Sequence, residues 1–381
     1  MENKNPIPAT DPSSFYKKVA PDLYPYMVRE VAALTLLKKA KVPDMVLLKS
    51  VDSDGSIELQ KHDGDLADIV PSDDDDIIRA VYRILVMLCN LNNVHLYHRD
   101  IKPENILSSN DGKHLVLCDF GLARYYSCGY NPEQCTSYVQ TSGFRAPELF
   151  FKDLKLNTMG PLNPRNMDIW SLGITALQLL EFDDFIAHNE SLKLSELYDI
   201  YCEYYLPGGT LETFINVCPD ELAEFLRVVA QMLTMNPDHR PDPEQLIADP
   251  IFDSYREHND IMDVNSLKAF ERERVDQLLS IIPSVETNPE MINHLTSINC
   301  YNFNNVESCW LAVCLLYRLP AAERTDIMGI IAVASAIFDT DVVDVPEQVW
   351  LDMLQKFDCD LMLPVMHPEV VQRLTMLFST V

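Results

Sequence analysis

The sequence predicts an α+β fold followed by an all-α tail. Strand-like runs are confined to the first sixty residues or so, helical periodicity dominates afterwards, and everything beyond about residue 266 reads as helices alone. At 381 residues the chain exceeds the usual size of one domain, so two domains and a short linker are expected. With 47% hydrophobic residues it can bury sizeable cores.

Taken in order, Phe15 to Val19 is strand-like, and Tyr26 to Lys39 carries helical spacing through Val28, Val31, Leu34 and Leu37. Val46–Val51 and Ser56–Leu59 flank Asp52-Ser-Asp-Gly55, a good hairpin turn. Ser72 is placed to cap a helix whose first turn holds Asp73 to Asp76. Four carboxylates there suit the positive end of the helix dipole better than they suit a cation. That helix shows Ile77, Val81, Ile84, Leu85 and Leu88 on one face. Another apolar helix runs from Asp168 to about Leu180. In the tail, segments 267–282, 306–318, 324–339, 346–357 and 368–380 predict a compact five-helix bundle, with Pro283, Pro320, Pro346 and Pro364 at or between helix ends.

Composition excludes several classes of function. The formal charge is −28, from 58 acidic and 30 basic residues, which argues against nucleic-acid binding and against an anionic membrane surface. Ten cysteines show neither a CxxC pair nor zinc-like spacing and read as reduced thiols, Cys128 and Cys135 included. The N-terminus has no apolar signal core, and the oiliest stretch, GIIAVASAIF, is too short to span a bilayer. An intracellular protein, cytoplasmic or nuclear, is expected.

Three strings carry the chemistry: HRDIKPENIL from His98, CDFGLAR from Cys118, and TSGFRAPEL from Thr141. In this order and spacing they resemble the eukaryotic protein-kinase family. The resemblance implies a bilobal α+β fold with a truncated small lobe over residues 1–64, a large lobe over 65–258, and the helical domain over 265–381. It implies ATP and Mg²⁺ as cofactors and a protein hydroxyl as acceptor. Asp100 would orient that hydroxyl and accept its proton, Lys102 would neutralise the moving phosphoryl group, and Asn105 and Asp119 would hold Mg²⁺. Lys17 would grip the ATP α- and β-phosphates and Glu30 would pair with it, although the adjacent Lys18 fits the spacing equally. Lys102-Pro-Glu-Asn105 and Thr141, seven residues before Glu148, match the serine/threonine form. Arg99 would pair with a phosphate on Thr136, twelve residues before Glu148, with Ser137 and Tyr138 as close competitors. Glu148 would pair with Arg240, and Asp168, opening DIWSLG, has a structural part.

Within the family, LCDFGLAR, FRAPEL, DIWSLG and Pro25-Tyr-Met-Val-Arg-Glu30-Val resemble the cyclin-dependent kinases. The tail strings Glu307 to Leu319, Val333 to Asp339 and Arg274 to Leu279 are similar to the second, third and first helices of a cyclin box, with Ala336 where cyclins usually carry a lysine. Kinase and activator in one chain would meet at high effective concentration, holding the Glu30 helix inward. One departure cuts the other way. No glycine occurs before Gly55 and about fourteen residues precede the Lys17 strand, so the glycine-rich loop has no counterpart. That loop supplies N–H donors to the phosphates and excludes water. The alternative is therefore a pseudokinase acting as a binding or allosteric scaffold.

Overall fold

A computed structural model of the chain describes residues 11–109, 112–126, 139–151, 164–182, 194–257, 260–286, 288–301, 306–338, 343 and 345–379. Ser14–Lys18 (β1), Leu48–Val51 (β2) and Ser56–Gln60 (β3) form an antiparallel sheet in the order β1-β3-β2. Lys17 lies opposite Ile57 across the β1–β3 ladder. The hairpin between β2 and β3 closes where expected: Gly55 takes φ +79°, and its N–H donates to Asp52 O at 3.0 Å. Glycine adopts that left-handed conformation without steric cost.

Tyr24–Ala40 (α1) connects β1 to β2. Thirteen of its seventeen residues are buried, so the helix has no solvent-facing stripe. A helix apolar on all sides must be covered on more than one. One cover is the short turn Phe120–Leu122, and another belongs to the tail.

Asp74–Asn93 (α2) is the long central helix. Its N-cap is Asp73, whose carboxylate accepts from Asp76 N at 2.9 Å. Ser72, the expected cap, lies one position too early and donates its hydroxyl to Asp76 Oδ2 at 3.0 Å instead. Around the end of α2 come five strands of two or three residues: Gly64–Asp65 (β4), Leu96–Tyr97 (β5), Ile106–Ser108 (β6), Leu115–Leu117 (β7) and Arg124–Tyr125 (β8). They pair as β4-β6-β7 and β5-β8. Runs this short leave no period-two signature, and sequence pattern does not reveal them.

The helical body continues with Pro147–Phe151 (α3), Pro164–Leu179 (α4), Leu194–Tyr205 (α5), Thr210–Ile215 (α6), Asp220–Met232 (α7) and Pro243–Leu246 (α8). Trp170 on α4 is wholly buried and stacks on Tyr201, centroids 5.4 Å apart. Beyond Tyr255 the chain is strapped to α2. Asp260 takes Tyr82 Oη at 2.6 Å and Arg83 Nη1 at 2.7 Å, while the other arm of Arg83 reaches Asp44 at 2.7 Å.

The described tail holds six α-helices rather than the expected five: Val264–Ile281 (α9), Pro289–Cys300 (α10), Val306–Arg318 (α11), Ile327–Ile337 (α12), Glu347–Lys356 (α13) and Pro368–Phe378 (α14). The addition is α10. Asn288 caps it by accepting from Glu290 N at 2.9 Å, Pro289 sits in its first turn, and Met291, Leu295 and Ile298 are buried on one side. Its other residues are mostly polar, so its apolar stripe is narrow. Among the described residues no helix is long and apolar enough to cross a membrane.

Candidate active site

The site forms where β1, α1 and the loops around β5 to β8 converge. Strand geometry sends successive side chains to opposite faces, and this decides between the two lysines of β1. Lys17 faces α1: its Nζ lies 2.9 Å from Glu30 Oε2 and 3.3 Å from Asp119 Oδ1. Lys18 points away, to exposed Asp54 at 3.7 Å. Burial works against the charge of Lys17, but the carboxylates of Glu30 and Asp119 outweigh it and hold its pKa above the ordinary lysine value. Burial likewise opposes ionisation of Asp119; Lys17 leads the groups that overcome it, and the net shift is downward. Lys17 is thus the cation shared by two carboxylates that would otherwise repel each other.

Asp100 is nearly buried and held from several directions. Thr141 donates both its backbone N–H and its hydroxyl to Oδ1, each at 2.8 Å. Asn105 Nδ2 donates to Oδ2 at 3.1 Å and to the Asp100 carbonyl at 2.7 Å. Lys102 Nζ lies 3.4 Å from Oδ2 and donates to Thr141 Oγ1 at 2.9 Å. Thr141 thus links the aspartate and the lysine through one hydroxyl.

Arg99 and Asp119 both have left-handed backbones, which hydrogen bonds to carboxylates support. Arg99 takes φ +65° and Asp119 φ +59°. For Arg99, the carboxylate of Asp168 at the start of α4 supplies the support, accepting from Arg99 N at 2.7 Å and His98 N at 2.9 Å. Burial pushes Asp168 up to about 7 despite those donors. His98 is buried between Cys118 O, 2.9 Å from Nε2, and Asp100 N, 3.2 Å from Nδ1. A neutral ring protonated on Nε2 serves both, and burial lowers its pKa in keeping with that. Asp119 receives Gly121 N–H at 3.4 Å, and Phe120 is fully buried, edge-on to His98 at 4.8 Å.

The donor set fits a hard divalent cation. With both Nδ2 hydrogens of Asn105 directed to Asp100, its amide oxygen is the remaining ligand atom, and Asp119 offers a carboxylate. Elsewhere among the described residues, Asp73, Asp75 and Asp76 bring three carboxylates together at the exposed N-terminus of α2.

Further out, Glu148 and Arg240 form a bidentate pair at 2.8 and 3.0 Å with both side chains fully buried. Arg240 also donates to Asn166 O and Thr234 O. Arg99 Nε donates to Leu122 O at 2.7 Å. Thr136, with Ser137, Tyr138, Cys128 and Cys135, lies outside the described residues.

Two buried arginines, Arg29 and Arg124, join the site to the tail. Arg29 donates to Gly121 O at 2.9 Å and, through two nitrogens, to Ala336 O of the tail at 2.7 and 3.1 Å. Arg124 is bonded to Phe338 O and pairs with Glu307 of α11 at 3.2 Å. Their signal in the sequence was modest: each is a cation beside an apolar run, next to Glu30 and at the end of CDFGLAR.

Residues 26–252 match the family model of the protein kinase domain. Among curated proteins, mitogen-activated protein kinase 13 of Oryza sativa subsp. indica is 28% identical over 262 residues, covering 59% of this chain and 49% of that protein. Mitogen-activated protein kinase 15 of Oryza sativa subsp. japonica is 29% identical over the same length, covering 59% and 50%. Mitogen-activated protein kinase 18 of Arabidopsis thaliana is 28% identical over 266 residues, covering 59% and 40%. The chain spans about half the length, or less, of the curated relatives it matches.

Proposed function

Because this chain belongs to the protein kinase family, we propose that it transfers the γ-phosphoryl group of ATP to serine or threonine hydroxyls of protein substrates. The observation that carries this is the single network of Asp100, Lys102, Asn105 and Thr141, with the Lys17–Glu30–Asp119 cluster beside it. Phosphoryl transfer requires positioning and charge compensation more than covalent chemistry, and these residue types supply both. Asp100 orients the acceptor hydroxyl and takes its proton. Lys102, tethered by Thr141, offsets charge on the transferring group, and Lys17, oriented by Glu30, meets the α- and β-phosphates. Asn105 and Asp119 would hold Mg²⁺, which when bound neutralises the triphosphate and clamps its geometry.

The tail acts in this proposal as a cyclin-like activator in cis. Support comes from the packing of α12 and α13 on α1 and from the two donations of Arg29 to Ala336 O. Ala336 takes part in this contact through its backbone carbonyl. The test is full-length protein with labelled ATP, Mg²⁺ and a generic protein acceptor. Label that appears with the natural chain and vanishes in Asp100→Asn supports the kinase. No label, together with no nucleotide-induced thermal shift, supports instead a pseudokinase that acts as a binding or allosteric scaffold.

A further inference from the structure

Arg124 lies five residues beyond Asp119 in the chain and has no solvent exposure. Its guanidinium sits over the rings of Tyr126 at 5.2 Å and Phe338 at 5.1 Å, bonds to Phe338 O, and meets the carboxylate of Glu307 at 3.2 Å. Glu307 is 1% exposed. A charge buried this far from water is tolerated only beside its opposite, so each of these two side chains requires the other in place. They belong to distant parts of the sequence: Arg124 to the segment that carries Asp119, Glu307 to the tail helix α11. Arg29 bridges the same parts a second time, from Gly121 O to Ala336 O. The Asp119–Arg124 segment is therefore tied at two points, Gly121 and Arg124, to one short stretch of tail, Ala336 to Phe338, and to one tail carboxylate.

We propose that Glu307 and Arg124 are positioning residues for phosphoryl transfer: the tail's carboxylate supplies the anion that orders the segment bearing Asp119, so that no covalent phosphate is needed to order it. The proposal rests on Asp119 being a ligand of the nucleotide-bound metal. Neither residue touches the reacting atoms; both act through the placement of Asp119.

The experiment measures nucleotide affinity with and without Mg²⁺, alongside kcat, for the full chain after phosphatase treatment, with removal of phosphate verified by mass spectrometry. The treated natural chain should keep its Mg²⁺-dependent affinity and its rate. Glu307→Gln, which keeps the shape and loses the charge, should weaken Mg²⁺-dependent binding about tenfold or more and leave metal-free binding unchanged. Glu307→Asp should recover most of that loss. A pair with only a structural part would lower Tm in Glu307→Gln without changing the ratio of the two affinities, and that result overturns the proposal. So does loss of activity on dephosphorylation. Should Glu307→Gln fail to fold, the double variant Arg124→Met, Glu307→Leu removes both charges together and leaves no orphan. Unchanged metal-dependent affinity in that variant overturns the proposal as well. A natural chain that binds no nucleotide at all is a different failure, that of the kinase function, and is recognised by the absence of any affinity to compare.

Discussion

Replacing Thr141 with alanine removes one hydroxyl that serves two charged partners. It donates to Asp100 Oδ1 at 2.8 Å and accepts from Lys102 Nζ at 2.9 Å. The backbone N–H of residue 141 still reaches Asp100, and Asn105 still holds the other oxygen, so the aspartate stays but loses part of its fixed direction. A hydrogen bond to a charged group contributes about 1.5–3 kcal/mol net. The site is partly open to water, and Lys102 keeps its 3.4 Å approach to Asp100, so one such contribution rather than two is the reasonable loss. Spent wholly in the transition state, that corresponds to a fall in kcat of roughly 10- to 150-fold. The KM for ATP should stay within about twofold, because Lys17, Glu30 and Asp119 are untouched. Steady-state kinetics on Thr141→Ala and Thr141→Ser separate the cases, with serine restoring most of the rate. A natural kcat in Thr141→Ala, or a change confined to KM, would refute the coupling of Asp100 to Lys102 through this hydroxyl.

Lys17→Met should raise the KM for ATP about tenfold or more, whereas Lys18→Met should match the natural chain; equal effects would mean that the two faces of β1 have been misassigned. Glu148→Ala leaves Arg240 buried with only carbonyls and the Trp170 ring as partners, and should cost about 3 kcal/mol, or roughly 6–12 °C in Tm. The double variant Glu148→Leu, Arg240→Met should regain much of that in a thermal melt, and an additive loss would count against a buried pair. Asp168 titrates near 7 in the fold against 3.8 normally, so the folded chain holds a proton that the unfolded chain has released between those values. Its contribution to stability is therefore full below about pH 4 and lost as pH rises through about 7, and the Tm advantage of the natural chain over Asp168→Asn should shrink across that window. Parallel Tm profiles would show that burial does not raise this carboxyl.

The strings that build the candidate site are legible because most of their residues lie close together in the chain. Asp100, Lys102 and Asn105 lie within six positions of one another, and the backbone turns that present them are stabilised by neighbours such as Asp168 and Thr141, which sit in equally recognisable strings. Helices with a broad apolar face, α2 among them, declare themselves by period, and α12 by a nearly unbroken apolar run. The N-cap of α2 was misplaced by one residue because Ser72 and Asp73 are both good caps and only backbone angles separate them. The helix α10 went unnoticed because three buried residues among polar ones make a weak stripe.

What the linear order could not decide is which faces meet. Whether Lys17 or Lys18 turns inward depends on where α1 lies across the sheet, since a strand offers alternate residues to opposite sides and has no preference of its own. The capture of Arg29 by Ala336 O and the pairing of Arg124 with Glu307 span separations of 307 and 183 positions, respectively. Contacts at such range leave no period to detect. They exist because buried charge and apolar surface must both be covered, and only the packed chain brings the covering groups together.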